Sequence, residues 1–446
     1  MSRYRHSVLL DESKCKGCTT CLKRCPTEAI RIREGHAIIN ADRCVDCGEC
    51  IRQCAYKAKK ALHDGLETLN DFKYKVALPA PSLYGQFDNL DSIDYVISGL
   101  YKLGFDKVYE VAKAAELVSA YTRMFLNRPE AVKPVISSAC PVILRIISMN
   151  YPYLLDHVLP ILPPVEIAAR IAREKAQKEH PELKPSDIGL YFISPCPAKV
   201  SYFKNGFEDE FHGVDRVLSV RDVYFALLGP MKKLRDLENP TEVGVVGVGW
   251  ASTGGESAAV FNEHYLAADG IENCLRVLER IDNDDINNLD YVELNACNGG
   301  CVGGTMTVSN PYIAQARLQS LRRYLPVSPN RPNNADAGIP ASVMKHNLPH
   351  YTPEQFLSED RNKAMEMLNN IQQICDGLPG IDCGSCGAPT CMAFAEDIVK
   401  GETTADECTV IMRTIFHEYL KNHDQKAPLP DFPSIPIDKK TEGKND

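Results

Sequence analysis

Sixteen of the eighteen cysteines in this 446-residue chain fall into groups whose spacing could hold metal. Cys15, Cys18, Cys21 and Cys25 form C-x2-C-x2-C-x3-C, followed by Pro26. Cys44, Cys47, Cys50 and Cys54 repeat that spacing 29 residues on, with Ala55 in place of the proline. Cys140 and Cys196 stand singly, and Cys297 and Cys301 as C-x3-C. Cys383, Cys386, Cys391 and Cys408 make C-x2-C-x4-C-x16-C. Thiolates are soft ligands that select zinc or iron–sulfur clusters. In a large intracellular chain they stay reduced, so metal ligation is expected instead of a disulfide framework.

The doubled N-terminal run is that of a bacterial-type two-cluster ferredoxin, in which the fourth cysteine of each run ligates the other cluster. Three thiolates in one tight loop reach three irons of a cube, and the fourth iron is met from elsewhere. This assigns one 4Fe–4S cluster to Cys15, Cys18, Cys21 and Cys54, and a second to Cys44, Cys47, Cys50 and Cys25. The chemistry is electron transfer. A pair of zinc knuckles competes, but does not account for eight cysteines at doubled ferredoxin spacing. Residues 37–40, between the runs, suit a hairpin strand.

The elements that must position the central cysteines begin near Lys73. Runs at 75–78, 106–109, 133–136, 189–193, 243–246 and 289–292 read as short buried strands, with amphipathic stretches such as 164–178 and 220–237 between them. Such alternation predicts an α/β domain with parallel sheets in two lobes. Cys140 follows one predicted strand, Cys196 another, and Cys297 with Cys301 a third. Three strand ends thus deliver four thiolates to one crevice, where open α/β sheets bind ligands. Buried structural cysteines are individually common, yet four at equivalent strand ends, each beside Pro or Gly, outweigh that account.

The segments are Ser137-Ser138-Ala139-Cys140-Pro141, Ser194-Pro195-Cys196-Pro197-Ala198-Lys199, and the stretch from Glu293 to Gly304 that holds Cys297 and Cys301. They resemble the T-S-C-C-P, M-P-C-x-x-K and E-x-M-A-C-x-x-G-C-x-x-G-G motifs of the iron-only (FeFe) hydrogenases. The resemblance runs over about residues 73–357, and a ferredoxin module in front is typical of that family. It implies an H-cluster: a 4Fe–4S cube on Cys140, Cys196, Cys297 and Cys301, with Cys301 bridging to a two-iron subsite that carries CO, cyanide and a dithiolate. Lys199 matches the lysine that hydrogen-bonds a cyanide ligand, a charge-assisted contact. The glycine-rich stretch 247–256 lacks the ending of a P-loop and resembles the family's T-G-G helix start.

The chain departs from the family around those ligands. Ala139 stands where catalytic members have a second cysteine that passes protons, a function that contributes a rate factor of about 10²–10⁴. Ser194 and Asn295 replace two methionines, and Tyr202 stands where a glutamate often follows the lysine. Glu116 is the best remaining candidate for a glutamate pair expected before the first motif. Ligands kept and neighbours changed is the pattern of the sensory hydrogenases, which bind H2 but turn over slowly. The expected protein interconverts H2 with protons and electrons at low rate. One alternative is a fully active hydrogenase with a proton path through Glu116, Tyr202, Glu293 or water. Another is a non-enzymatic iron–sulfur relay or assembly protein.

A Pro- and Asn-rich connector, 326–340, and a predicted helix over 353–373 lead to the last cysteines, with another helix at 392–399. That set resembles the small 4Fe–4S module of sensory hydrogenases, with zinc as the competing ligand. The expected organisation is a ferredoxin-like α+β module at 1–65, a two-lobed α/β H-cluster domain at 73–357, a small helical 4Fe–4S module at 358–422 and a disordered tail at 423–446. Three accessory 4Fe–4S clusters and the H-cluster use sixteen cysteines, which leaves Cys274 and Cys375 as structural. The eleven histidines show no metal-ligand pairing in their spacing.

A net charge of −9 argues against a nucleic-acid partner. No apolar stretch reaches the roughly 20 residues of a membrane span, and the first residues carry no leader pattern. A cytoplasmic location is therefore expected. The implied partners are H2, a redox or signalling protein, the maturation proteins that install the two-iron subsite, and a second copy in a homodimer.

Overall fold

The computed structural model describes residues 6–205, 213–234, 237, 239–332, 338–345, 350–352, 357–358 and 360–422. Two compact units, Met1–Glu359 and Asp360–Asp446, divide the chain. The ferredoxin-like module and the α/β core thus share one unit, and the expected tail at 423–446 lies outside the described residues.

The first unit opens with β1 (Val8–Leu10), β2 (Ile30–Arg33), β3 (His36–Ile39) and β4 (Lys59–Ala61). β1 pairs antiparallel with β4, and β2 with β3. Glu34 and Gly35 join β2 to β3 with φ of 50° and 76°, the two positive values that a tight I′ hairpin turn requires. Val8, Leu22, Ile30 and Ala37 form a small core against Cys21 and Cys50.

Two parallel sheets follow. β5 (Tyr74–Pro79), β6 (Lys107–Val108), β8 (Ile188–Ser194) and β9 (Arg216–Ser219) make one, in the order β6-β5-β8-β9. β7 (Val135–Ile136), β10 (Tyr265–Asp269) and β11 (Tyr291–Asn295) make the other, in the order β10-β11-β7. Every pairing in both sheets is parallel. β8 is buried along its whole length, as a strand covered on both faces must be. Leu190 and Phe192 pack with the helices Val111–Leu126 and Pro164–Glu179. Tyr191 and Ile193 point the other way, toward the helices Asp94–Leu103 and Val220–Lys232. The second sheet buries Ile136, Val292 and Leu294 against the helices Pro141–Asn150 and Ile271–Asp282.

The structure corrects three sequence expectations. Residues 243–246 are not a strand. The segment enters the helix Val245–Gly249, and its amides donate to Pro326 and Val327 carbonyls at 2.8 and 3.0 Å. A short apolar run has no period to separate strand from helix. β9 and β10 were not expected. Both are edge strands, and β10 has no fully buried residue. The helix at 220–237 ends at Lys232, just after Pro230. In the second unit a helix runs over Arg361–Gly377, with Asp360 accepting from the amides of Asn362 and Lys363 at its start; residues 353–356 lie outside the described set. The helices Cys391–Val399 and Thr409–Asn422 complete that unit. No described helix is long and apolar enough to cross a membrane.

Candidate metal centres

In the ferredoxin-like module Cys25, Cys44, Cys47 and Cys50 line one pocket, walled by Val8, Ile30 and Ile39. The fourth cysteine of the first run therefore stands with the first three of the second. Cys21 feels the charges of Cys18, Cys15 and Cys54, so the other set is crossed in the same way. The two runs also match in detail: the amide of Ala29 donates to Cys25 Sγ at 3.2 Å, and that of Ala58 to Cys54 Sγ at 3.3 Å. Burial pushes the thiols of Cys21, Cys44 and Cys47 up, and that of Cys50 to about 12.

Whether these residues fit anionic clusters is answered by Lys59. Its ammonium is buried and has no hydrogen-bond partner among the described residues. Its charge acts on Cys21 of one set and Cys50 of the other. A buried cation without a counter-charge is costly, and a cluster on either thiolate set supplies that counter-charge. His6 comes within 4.8 Å of Cys44 and Asp46, a proximity that its place in the sequence did not signal.

In the α/β core the four central cysteines sit just beyond parallel strand ends. Cys140 follows β7 and caps the helix Pro141–Asn150, Cys196 follows β8, and Cys297 and Cys301 follow β11. The strands belong to both sheets. Cys196 feels Cys297, Cys140 and Cys301, so the four thiols share one neighbourhood. Burial pushes Cys196 far up, Cys301 to about 12 and Cys297 to about 11, the last restrained by Arg52. The loops are held together by main chain: Met306 N donates to Pro195 O at 3.1 Å, and Val302 N to Ala251 O at 3.0 Å. Gly304 sits so close that a Cβ there would stand 2.2 Å from the Pro195 carbonyl.

Lys199 is in reach of the same thiols. Burial lowers its pKa, while Cys196, Glu166, Cys140 and Cys301 oppose that shift. Its Nζ stands 5.1 Å from the Tyr202 ring centroid, and the Tyr202 hydroxyl donates to Glu166. Ser194 and Asn295 are held by local hydrogen bonds. Ser194 Oγ bonds the main chain of Cys196 in both directions at 3.1 Å, and Asn295 Nδ2 donates to Glu293 at 2.7 Å.

A buried carboxyl pair beside this crevice escaped the sequence reading in part. Glu256 Oε1 accepts from Ser137 Oγ at 2.7 Å and from Tyr291 OH at 2.5 Å, and the amide of Ala139 donates to Ser137 Oγ at 3.1 Å. Glu293 accepts from the amides of Gly254 and Ser257 at 3.0 and 2.8 Å. Burial, then the charge of Glu293, pushes the Glu256 carboxyl up to about 8, and burial raises Glu293. Glu293 was a candidate by motif, whereas Glu256 was legible only as the acid that follows Gly254-Gly255.

Glu116 has other partners. From the helix Val111–Leu126 it accepts from the amides of Gly244 and Asn330 at 2.5 and 2.8 Å, and from the Asn330 side chain at 3.0 Å. These contacts fasten the 328–330 connector to that helix. Cys274 is buried and donates to the Asn295 carbonyl at 3.3 Å.

In the second unit Cys383, Cys386, Cys391 and Cys408 line one pocket with Leu378 and Phe394. Asp382 accepts from the Cys391 amide at 2.6 Å and Thr390 from the Ala393 amide at 3.1 Å, which sets the start of the helix Cys391–Val399. Cys375 is near enough for the charge of Cys391 to act on it. Replacing Cys383 and Cys386 together by Ala is expected to remove about four irons per chain and leave the cluster signals of the first unit in place. Unchanged iron content would remove this site.

A family model for the C-terminal domain of the iron-only hydrogenase large subunit matches residues 73–264 and 252–305. A 4Fe–4S dicluster domain matches residues 7–55, and an Fe–S cluster family residues 378–410. The first match spans more than half of the chain, which therefore belongs to the iron-only (FeFe) hydrogenase family. The chain is 30% identical over 213 residues to the periplasmic Fe hydrogenase large subunit of Nitratidesulfovibrio vulgaris, an alignment covering 44% of this chain and 50% of that protein. It thus spans about half the length of that curated relative. Among solved structures, an FeFe-hydrogenase studied for oxygen inactivation shares 16% identity at a TM-score of 0.49, over 65% of this chain and 98% of that one. A variant of the Chlamydomonas reinhardtii FeFe-hydrogenase shares 17% at 0.46, over 59% and 90%.

Proposed function

We propose that this chain is a sensory FeFe-hydrogenase: it interconverts H2 with protons and electrons at low rate and passes electrons to a redox or signalling protein. One observation carries the reading. Cys140, Cys196, Cys297 and Cys301 share one neighbourhood at strand ends of both sheets, while Ala139 occupies the place of a proton-passing thiol. These four would hold the cube of an H-cluster, with Cys301 as the bridge to its two-iron subsite. When bound, that group supplies the site at which H2 is split and its electrons are accepted. Lys199 places a positive charge beside the sulfurs, and Cys140 and Cys196 pack against an apolar cluster. The remaining twelve cysteines would hold three accessory 4Fe–4S clusters as an electron route. A reducing cytoplasm suits eighteen unpaired cysteines.

The Ser137–Glu256 contact favours a second reading, a hydrogenase of ordinary activity whose protons travel through Glu256. Infrared spectra of anaerobically matured protein test the common ground of both. Metal-bound CO and cyanide bands that shift under H2 are expected. If a control hydrogenase matures in the same preparation and this chain shows no bands, the hydrogen chemistry is wrong.

A further inference from the structure

The ferredoxin-like module and the central cysteine loop meet at one side chain. Arg52 lies between Cys50 and Cys54, at the end of the helix Glu49–Arg52. Its Nη2 donates to the carbonyl of Gly303 at 2.7 Å, two residues past Cys301, and its Nη1 to Glu49. The charge of the guanidinium also acts on Cys297 and reaches Cys47. The contact around it is close. A Cβ on Gly48 would stand 2.6 Å from the Thr305 side chain, and Val45 and Cys47 pack in one apolar cluster with Cys140 and Cys196.

A guanidinium is charged at every working pH, and a carbonyl and a carboxylate at its fork hold it in place. A cluster gains a negative charge when it takes up an electron. A fixed cation at a ligand sulfur therefore favours the reduced form, because net charge and hydrogen bonds to sulfur set cluster potentials. Glu49, on the same short helix and half shielded with Arg52, acts with the opposite sign.

We propose that Arg52 is a potential-setting residue shared by two centres, raising the reduction potential of the cube on Cys140, Cys196, Cys297 and Cys301 and of the ferredoxin cluster on Cys25, Cys44, Cys47 and Cys50 across the contact it makes with Gly303. This rests on the cluster assignments above. One charge then moves both potentials in the same direction.

The test uses the full chain reconstituted with 4Fe–4S clusters alone, without the two-iron subsite, and reads midpoint potentials by EPR during a redox titration. Arg52→Gln is expected to shift the one-electron equilibrium of both centres about tenfold toward the oxidised form, which is about 59 mV more negative. Arg52→Lys, which keeps the charge, is expected to recover most of that shift. Glu49→Gln is expected to move both potentials the other way. Potentials that stay put in Arg52→Gln at full iron content overturn the proposal, as does a shift of the same sign in Glu49→Gln. Should Arg52→Gln lose its clusters, the Lys and Glu49 variants still decide. If joint replacement of Cys297 and Cys301 by Ala leaves the iron content unchanged, no cube sits there and the cluster assignment itself has failed.

Discussion

Glu256→Gln is expected to cut H2 turnover about 10²-fold or more with the CO and cyanide bands retained. The carboxyl is buried and pushed up to about 8, so it carries a proton at neutral pH. It reaches Ser137 Oγ at 2.7 Å, and Ser137 in turn meets the Ala139 amide. Glutamine keeps the shape and can still accept from Ser137 and Tyr291, but it cannot give up or take a proton. Tyr291→Phe removes a neighbour and leaves the acid, so it is expected to cost far less. The raised pKa has a stability signature too. The folded chain holds a proton on Glu256 between the ordinary 4.5 and about 8 that the unfolded chain has lost, so this group makes stability fall as pH rises through that window. The Gln variant is expected to lose that slope in melting curves. Turnover equal to the parent protein would take Glu256 out of any proton path.

Ala139→Cys is expected to act in the opposite direction and raise turnover by about 10²-fold. The position is half-buried, directly before a cluster ligand, and its amide already bonds Ser137. A thiol added there would lie two residues from Ser137, which meets the Glu256 carboxyl. Residues in one network do not act additively. The gain is therefore expected to vanish in the Ala139→Cys, Glu256→Gln double variant if Glu256 feeds the thiol. Hydrogen-dependent dye reduction by the four proteins measures this. A single Cys variant no faster than its parent would mean that the missing thiol does not hold the rate down, and the sensory reading would lose its main support.

The two results separate what the sequence could disclose from what it could not. Cysteine spacing within a run is local geometry, so the ferredoxin runs and the terminal set were legible residue by residue. The strands before Cys140, Cys196 and Cys297 were legible from their apolar runs, Val135-Ile136, Leu190 to Ile193 and Tyr291-Val292. β9 and β10 were not: β9 is four residues bounded by Arg216 and Ser219, and β10 has no fully buried residue. Residues 243–246 misled because the run is too short to carry a period. Glu256 was illegible for another reason. Its partners Ser137 and Tyr291 lie 119 and 35 positions away, and no motif ties a carboxyl to them. For Glu116 a helix position suggests where the side chain starts, while its bonds to Gly244 and Asn330 lie 128 and 214 positions away and could not be read from the sequence.

The unpartnered ammonium of Lys59 carries a consequence for how the protein comes to be assembled. Enclosing a lone charge costs on the order of several kcal/mol, and this one borders Cys21 of one set and Cys50 of the other. The metal-free module therefore holds a standing electrostatic debit that either cluster relieves. Whichever arrives first also fixes the cross-run cysteine of its neighbour's set, because Cys25 and Cys54 are exchanged between the runs. Loading is therefore expected to be ordered: the first cluster to arrive on either set takes up most of the gain from Lys59, and the second gains less from that charge.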